Sequence, residues 1–100
     1  MSITFEWDAA KASLNKKKHK ISFDEAKTVF SDENAIVIHD PEHLDNEERF
    51  VILGLSAIVR LLVVCHCFRD KDSIIRIISA RKATKSESTQ YHGGDYEKRI

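Results

Sequence analysis

A single proline and three glycines in 100 residues are too few for a disordered or fibrous chain. No apolar run approaches the roughly 20 residues a membrane-spanning helix needs. The opening Met1-Ser2-Ile3-Thr4-Phe5-Glu6 also lacks the charged and then apolar regions of a secretory leader. The expectation is a cytoplasmic protein with no membrane partner. Cysteine is scarce as well. Cys65 and Cys67 flank His66 in what reads as a strand, so both thiols point to one face and the imidazole to the other. That placement argues against a shared metal site. Positions two apart on one strand also lie near the limit of about 7 Å that a bridge can span, so two buried, unbridged thiols are expected. A glycine-rich phosphate loop, a Cys-x-x-Cys pair, His-Glu-x-x-His and Gly-x-Ser-x-Gly are all missing. Nucleotide hydrolysis, zinc chemistry and serine hydrolysis therefore lack their minimum parts, and neither cofactor nor metal is expected.

What is present is 42% hydrophobic and 32% charged residues, the balance of a globular protein. The length suits one domain over residues 1–100, with a short tail from about residue 93. The net charge of zero hides a segregation. Lys11, Lys16, Lys17, Lys18 and Lys20 form a basic block; an acidic segment from Asp24 to Glu48 has only Lys27 against it; Arg60, Arg69, Lys71, Arg76, Arg81, Lys82 and Lys85 then outweigh Asp70 and Asp72. If the two basic segments meet in space, they form the footprint of a phosphate-bearing partner; the alternative is a solvated, salt-bridged surface.

Phe5-Glu6-Trp7-Asp8 leads into a stretch without glycine or proline, and Asp8 can cap a helix from about Ala9 to Lys18. Spacing directs Trp7, Ala10 and Leu14 to the core and leaves Lys11, Asn15 and Lys18 as a second stripe. Ser22-Phe23-Asp24-Glu25 has the form of a capping box, predicting a second helix from Phe23 that pairs with the first as a hairpin. Ala35 to His39, Glu48 to Leu55, Arg60 to Phe68 and Ile74 to Ala80 read as four strands, with a turn at Asp40-Pro41-Glu42-His43 and a tight turn at Arg69-Asp70-Lys71-Asp72-Ser73. Thr84-Lys85-Ser86-Glu87 repeats the capping-box pattern and opens a third helix that Gly93-Gly94 ends. Runs of helix, then strand, then helix predict an α+β domain: two N-terminal helices, a four-stranded antiparallel meander covered on one face, and a C-terminal helix.

An arginine inside the isoleucine run Ile74-Ile75-Arg76-Ile77-Ile78 must reach a groove, a partner or an acid, because an unpaired buried charge costs several kcal/mol. If helices cover one face, His66, Arg76, Arg81 and the pair Glu48-Arg49 are candidates to converge on the other or its rim. Arg76 and Arg81 alternate, however, unless the strand bulges or ends between them. Such residues suffice for metal-free cleavage of a phosphodiester: a base for the RNA 2′-hydroxyl, cations for the developing charge, and an acid for the leaving oxygen. Each has a plainer reading, as a core histidine, a structural salt bridge and a solvated strand end.

Taken together, these residues resemble the BrnT family of toxins in type II toxin–antitoxin systems. Phe5-Glu6-Trp7-Asp8 with Lys11 and Asn15, Lys18-His19, Ser22-Phe23, Glu25-Ala26 and Val29-Phe30 resemble the family's opening. Asp40-Pro41, Glu48-Arg49, Gly54, Leu62-Val63-Val64 and His66 resemble its middle, and Arg76 through Ala83, Glu87 and Tyr91 its end. The chain departs from the pattern at Lys20, where glycine commonly follows Lys-His, and at Ser88, where a basic residue often follows the glutamate. The resemblance implies a RelE-like α+β fold and a metal-independent ribonuclease that halts translation. It also implies a BrnA-like antitoxin, in a hetero-oligomer that binds operator DNA through the antitoxin. On this reading Glu48 or His66 is base or acid, Arg49, Arg76 and Arg81 bind the scissile phosphate, and Lys11, Lys18, His19 and Lys82 position RNA. The alternative is a non-catalytic antitoxin- or RNA-binding module of the same fold.

Overall fold

The computed structural model describes residues 3–39 and 48–94. The turn expected at Asp40 to His43, the rest of the acidic loop to residue 47, and the tail beyond residue 94 lie outside the described residues. In chain order come β1 (Thr4–Glu6), α1 (Ala9–His19), α2 (Phe23–Ala26), a 3-10 turn (Lys27–Ser31), β2 (Ile36–His39), β3 (Phe50–Leu55), β4 (Leu61–Arg69), β5 (Ile74–Lys82), α3 (Lys85–Thr89) and a π-type turn (Gln90–Gly94). The strands form one mixed sheet in the order β1-β5-β4-β3-β2. The antiparallel run from β2 to β5 is as expected, but the sheet has a fifth strand, because β1 pairs in parallel with β5 through Thr4↔Ile74, Phe5↔Ile75 and Glu6↔Arg76.

One face of the sheet carries the core. Ile52, Leu62, Val64, Ile77 and Ala80 are buried there against Ile21, Phe23, Ala26 and Val29, with Phe5, Trp7 and Phe30 packed around them. The second N-terminal helix is only one α-turn long before it tightens into the 3-10 turn. Its cap is one-sided: Ser22 Oγ accepts from the Glu25 amide at 3.0 Å. The Glu25 carboxylate does not reach back to the cap but takes hydrogen bonds from Arg60 and from Ser56 Oγ, tying α2 to the β3–β4 turn. These partners hold its pKa below the usual carboxylate range. At the other end Thr84 and Glu87 do form the reciprocal box.

The inner face of α1 differs from its hydrophobic spacing. Leu14 is 65% exposed, whereas Asn15 is buried. β1 pairs only as far as Arg76, so the outer edge of β5 beyond it has no strand neighbour among the described residues. Asn15 fills that place. Its Nδ2 donates to the Ala80 carbonyl at 2.8 Å and to the Ile21 carbonyl at 3.0 Å, and its Oδ1 accepts from the Ala80 amide at 3.1 Å. Satisfying buried backbone groups outweighs burying one leucine, since an orphaned donor or acceptor costs about 1–3 kcal/mol. α1 ends at Lys20, which is left-handed at φ 63°. A side chain there meets a penalty that glycine avoids.

The helices do not all cover one face. α3 lies against the second face, where Leu53 and Val63 are buried and, with Ile36 and Val51, line a small cleft closed by Glu87 and Gln90. Tyr91 pins the following turn, its hydroxyl donating to Asp32 Oδ2 at 2.6 Å, an oxygen that also accepts from the Leu55 amide at 2.8 Å. Gly54 is required in this corner: a Cβ on it would stand 2.8 Å from Val29 Cγ1 and 3.0 Å from Ala35 Cβ.

Candidate nucleic-acid interface

The β4–β5 ladder decides where the charged residues go. Cys67 pairs with Arg76, His66 with Ile77, Cys65 with Ser79 and Val63 with Arg81, so Ile78 is an extra residue opposite the Cys65/His66 step. A bulge of this kind resets alternation. Before it Ile75 and Ile77 face the core, after it Ala80 does. Arg76, Ser79 and Arg81 are thereby brought onto the second face together. The Arg76 and Arg81 rungs, at Cys67 and Val63, are four residue steps apart on β4, about 13 Å of strand. That is the span of two contacts rather than one.

Arg76 Nη1 donates to Glu6 Oε2 at 2.8 Å across the β1–β5 pair. The acid that meets the arginine of the isoleucine strand thus comes from β1. Arg69 approaches the same oxygen through Nε at 3.6 Å. Arg81 is held more completely: its Nη1 and Nη2 grip Glu87 Oε1 and Oε2 at 2.8 and 2.9 Å. Arg81 and the Thr84 cap hold the Glu87 carboxyl down to about 2, while the same pair raises the Arg81 guanidinium.

The basic face of α1 meets this edge. Lys11, Leu14, Lys18 and His19 line an open groove of about 200 Å³ with Ile78 and Ser79 of β5. The two segments that carry the basic blocks therefore meet, joined by the Asn15–Ala80 bonds, with α1 supplying the cations of the groove and β5 contributing Ile78 and Ser79. Lys82, opposite Leu62, is exposed at the end of β5 on the side away from Arg81. A roomier pocket of about 580 Å³, bounded by Phe5, Thr28, Asp32 and Ser56, offers Lys27 as its one cationic lining residue among the described residues.

His66 is not part of this convergence. It is 1% exposed and lies on the first face, its ring edge-on to Phe30 at 4.8 Å and to Phe68 at 5.5 Å, with Phe50 at 6.1 Å. Its Nδ1 lies 3.2 Å from the Val64 carbonyl, and burial pushes its pKa down. His66 does not share an open face with Arg76 and Arg81, its expected company, because adjacent strand residues alternate and α2 with the 3-10 turn packs on the imidazole's side. Cys65 and Cys67, one half-buried and one buried, are on the arginines' side, neither in a disulfide. Glu48 is exposed ahead of β3, and Arg49 directly precedes the Phe50–His66 rung with its Nε buried. Sequence reasoning did not single out Glu6 or Arg69. A strand of three residues leaves no alternation to detect, and only the parallel pairing brings Glu6 beside Arg76.

Among the described residues no helix is long and apolar enough to cross a membrane. A search of curated protein sequences returns no match. Among solved structures, the chain is similar to the crystal structure of the Brucella abortus ribonuclease toxin BrnT, with 19% identity, a TM-score of 0.63, and coverage of 84% of this chain and all of that one. At that identity the likeness concerns the fold. The profile described as "Ribonuclease toxin, BrnT, of type II toxin-antitoxin system" matches residues 7–87, from Trp7 beside the core to the Glu87 that grips Arg81. The chain belongs to the BrnT family of ribonuclease toxins of type II toxin–antitoxin systems.

Proposed function

We propose that this protein is a cytoplasmic, RelE-like RNA endonuclease that cuts by metal-independent acid–base catalysis and so halts translation. The observation that carries the reading is the bulge at Ile78, which turns Arg76 and Arg81 to one face and sets them beside the Lys11–Lys18–His19 groove. A strip of cations of this length suits successive phosphates of a single strand. Arg76 and Arg49 steady the charge developing on the scissile phosphate, and Arg81 takes a neighbouring phosphate when Glu87 releases it. Lys11, Lys18 and His19 track the backbone along α1, and Lys82 extends the contact past the strand end. Preorganised cations of this kind supply most of the barrier reduction in phosphoryl chemistry. Proton transfer falls to Glu48, the exposed carboxylate beside Arg49. His66, enclosed by three phenyl rings, holds Phe50 and Phe68 in place rather than touching RNA.

The partner is a BrnA-like antitoxin whose segment occludes the basic strip, in a hetero-oligomer that binds operator DNA through the antitoxin. One observation favours a second reading, a non-catalytic binding module: both strand arginines are held by carboxylates of their own chain. Incubating the purified chain with single-stranded RNA in EDTA separates the two. Cleavage in EDTA is the expected result. Cleavage only after a divalent metal is added overturns the metal-free mechanism, and RNA that binds but stays intact with or without metal establishes the binding module.

A further inference from the structure

Two guanidinium groups converge on one oxyanion at the β1 end of the second face. Arg76 Nη1 lies 2.8 Å, and Arg69 Nε 3.6 Å, from the same Glu6 Oε2. The three side chains remain 31% (Arg76), 47% (Arg69) and 36% (Glu6) exposed, so the cluster is open to solvent. Three strands build it: β4 ends at Arg69, β5 places Arg76 opposite Cys67, and β1 sets Glu6 beside Arg76. Like charges so close repel, and Glu6 holds them together. Of the carboxylates nearby, Asp8 accepts from the amides of Ala10 and Lys11. Asp70 accepts from Ser73 Oγ. Asp8, held below the usual carboxylate range first by those amides, also feels the charge of Arg76.

A planar fork suits phosphate as it suits carboxylate, and two forks around one anion position bind it better than one. We propose that Arg69 and Arg76 form a two-arginine clamp for a single RNA phosphate, with the Glu6 carboxylate marking where that anion sits. This rests on the ribonuclease reading and adds Arg69 to its site. It also assigns the Arg76 end the tighter phosphate, since Arg81 is engaged by both oxygens of Glu87.

The test is binding of a 2′-O-methylated single-stranded RNA oligonucleotide, which cannot be cut by 2′-hydroxyl attack, to the full chain at several salt concentrations. Arg69→Gln is expected to weaken binding about tenfold and to flatten the slope of log K against log salt by part of the roughly 0.7 that a whole single-strand phosphate contact carries, since Arg76 still meets that phosphate; the variant lacking both arginines should lose the full amount. Arg69→Lys should restore most of the slope. Arg69→Gln combined with Arg76→Gln should cost less than the sum of the two, because they share one phosphate. Lys71→Gln, at the tip of the adjacent turn, serves as the charge control. Unchanged affinity and slope in Arg69→Gln overturns the clamp, as does an equal effect from Lys71→Gln or full additivity of the double variant. If the unaltered chain binds no RNA, the ribonuclease reading falls with it, an outcome distinct from binding that ignores Arg69.

Discussion

The two faces of the sheet use the same strands for opposite purposes. On the first face His66 sits among Phe30, Phe50 and Phe68, with its pKa lowered by burial. On the second, its neighbour Cys67 is paired with Arg76, and Arg69, Arg76 and Arg81 stay partly exposed, each with a carboxylate. A single step along β4 separates packing from charge. In this family member a titratable side chain in the middle of a strand can be a packing group or a charged one, and the face it occupies decides which. The bulge at Ile78 is what lets β5 place two arginines on the charged side while Ile77 and Ala80 both stay in the core.

The contrast between the faces is sharpest at Arg76. Arg76→Ala should reduce cleavage by about 10²–10³-fold, the size of losing one preorganised cation at a reacting oxyanion, while a thermal melt shows a folded protein. Undiminished cleavage would remove it from the site. His66→Ala should do the reverse. It deletes a fully buried ring, so unfolding in denaturant should show a loss of about 3 kcal/mol, with cleavage per folded molecule unchanged. A loss of activity without a loss of stability would put the imidazole back into the chemistry. Gly54→Ala addresses the corner that ties the faces together. With a new methyl 2.8 Å from Val29 Cγ1, it should cost about 1–3 kcal/mol by overpacking, again read from denaturant midpoints.

The smallest effect concerns pH. Glu87 titrates near 2 in the fold against an ordinary value of 4.5. The folded value is depressed, so the pair with Arg81 stabilises above about 4.5 and is lost as pH falls toward 2. Glu87→Gln should cost about 1 kcal/mol at neutral pH, and its difference from the unaltered chain should shrink between pH 4.5 and 2 in melts across that range. A difference that persists at pH 2 would mean that Glu87 acts through packing. His66 is also depressed, so below about pH 6.5 the unfolded chain binds a proton that the fold resists, and stability falls. That component should be missing from a His66→Gln variant.

Much of the architecture was legible because it rests on local chemistry. The β-branched runs became β2 to β5, and Asp8 and Thr84 cap the helices they were expected to cap. What was illegible required knowledge of neighbours. Glu25 matches a capping box in sequence, but Arg60, 35 residues away, competes for its carboxylate and wins. Asn15 looked like part of a solvent stripe because nothing local announces that β5 has an open edge at Ala80. β1 is too short to show a period, and the bulge at Ile78 lies in a run of isoleucines where a shift of one residue changes no chemical pattern. The site followed suit: Arg76 was flagged by its cost in a core, its partner Glu6 was not, and the convergence of the two basic segments turned on the α1–β5 contact.

On the proposed reading RNA lies on the second face along β5 and α1. Titrating a 2′-O-methylated single-stranded oligonucleotide into the isotope-labelled chain and following backbone amide shifts tests it directly. Shifts are expected at Lys11, Lys18, Arg69, Arg76, Ser79 and Arg81, with little change at Val64, His66 and Phe30. Shifts centred on Phe50, His66 and Phe68, with Arg76 and Arg81 unmoved, would contradict it.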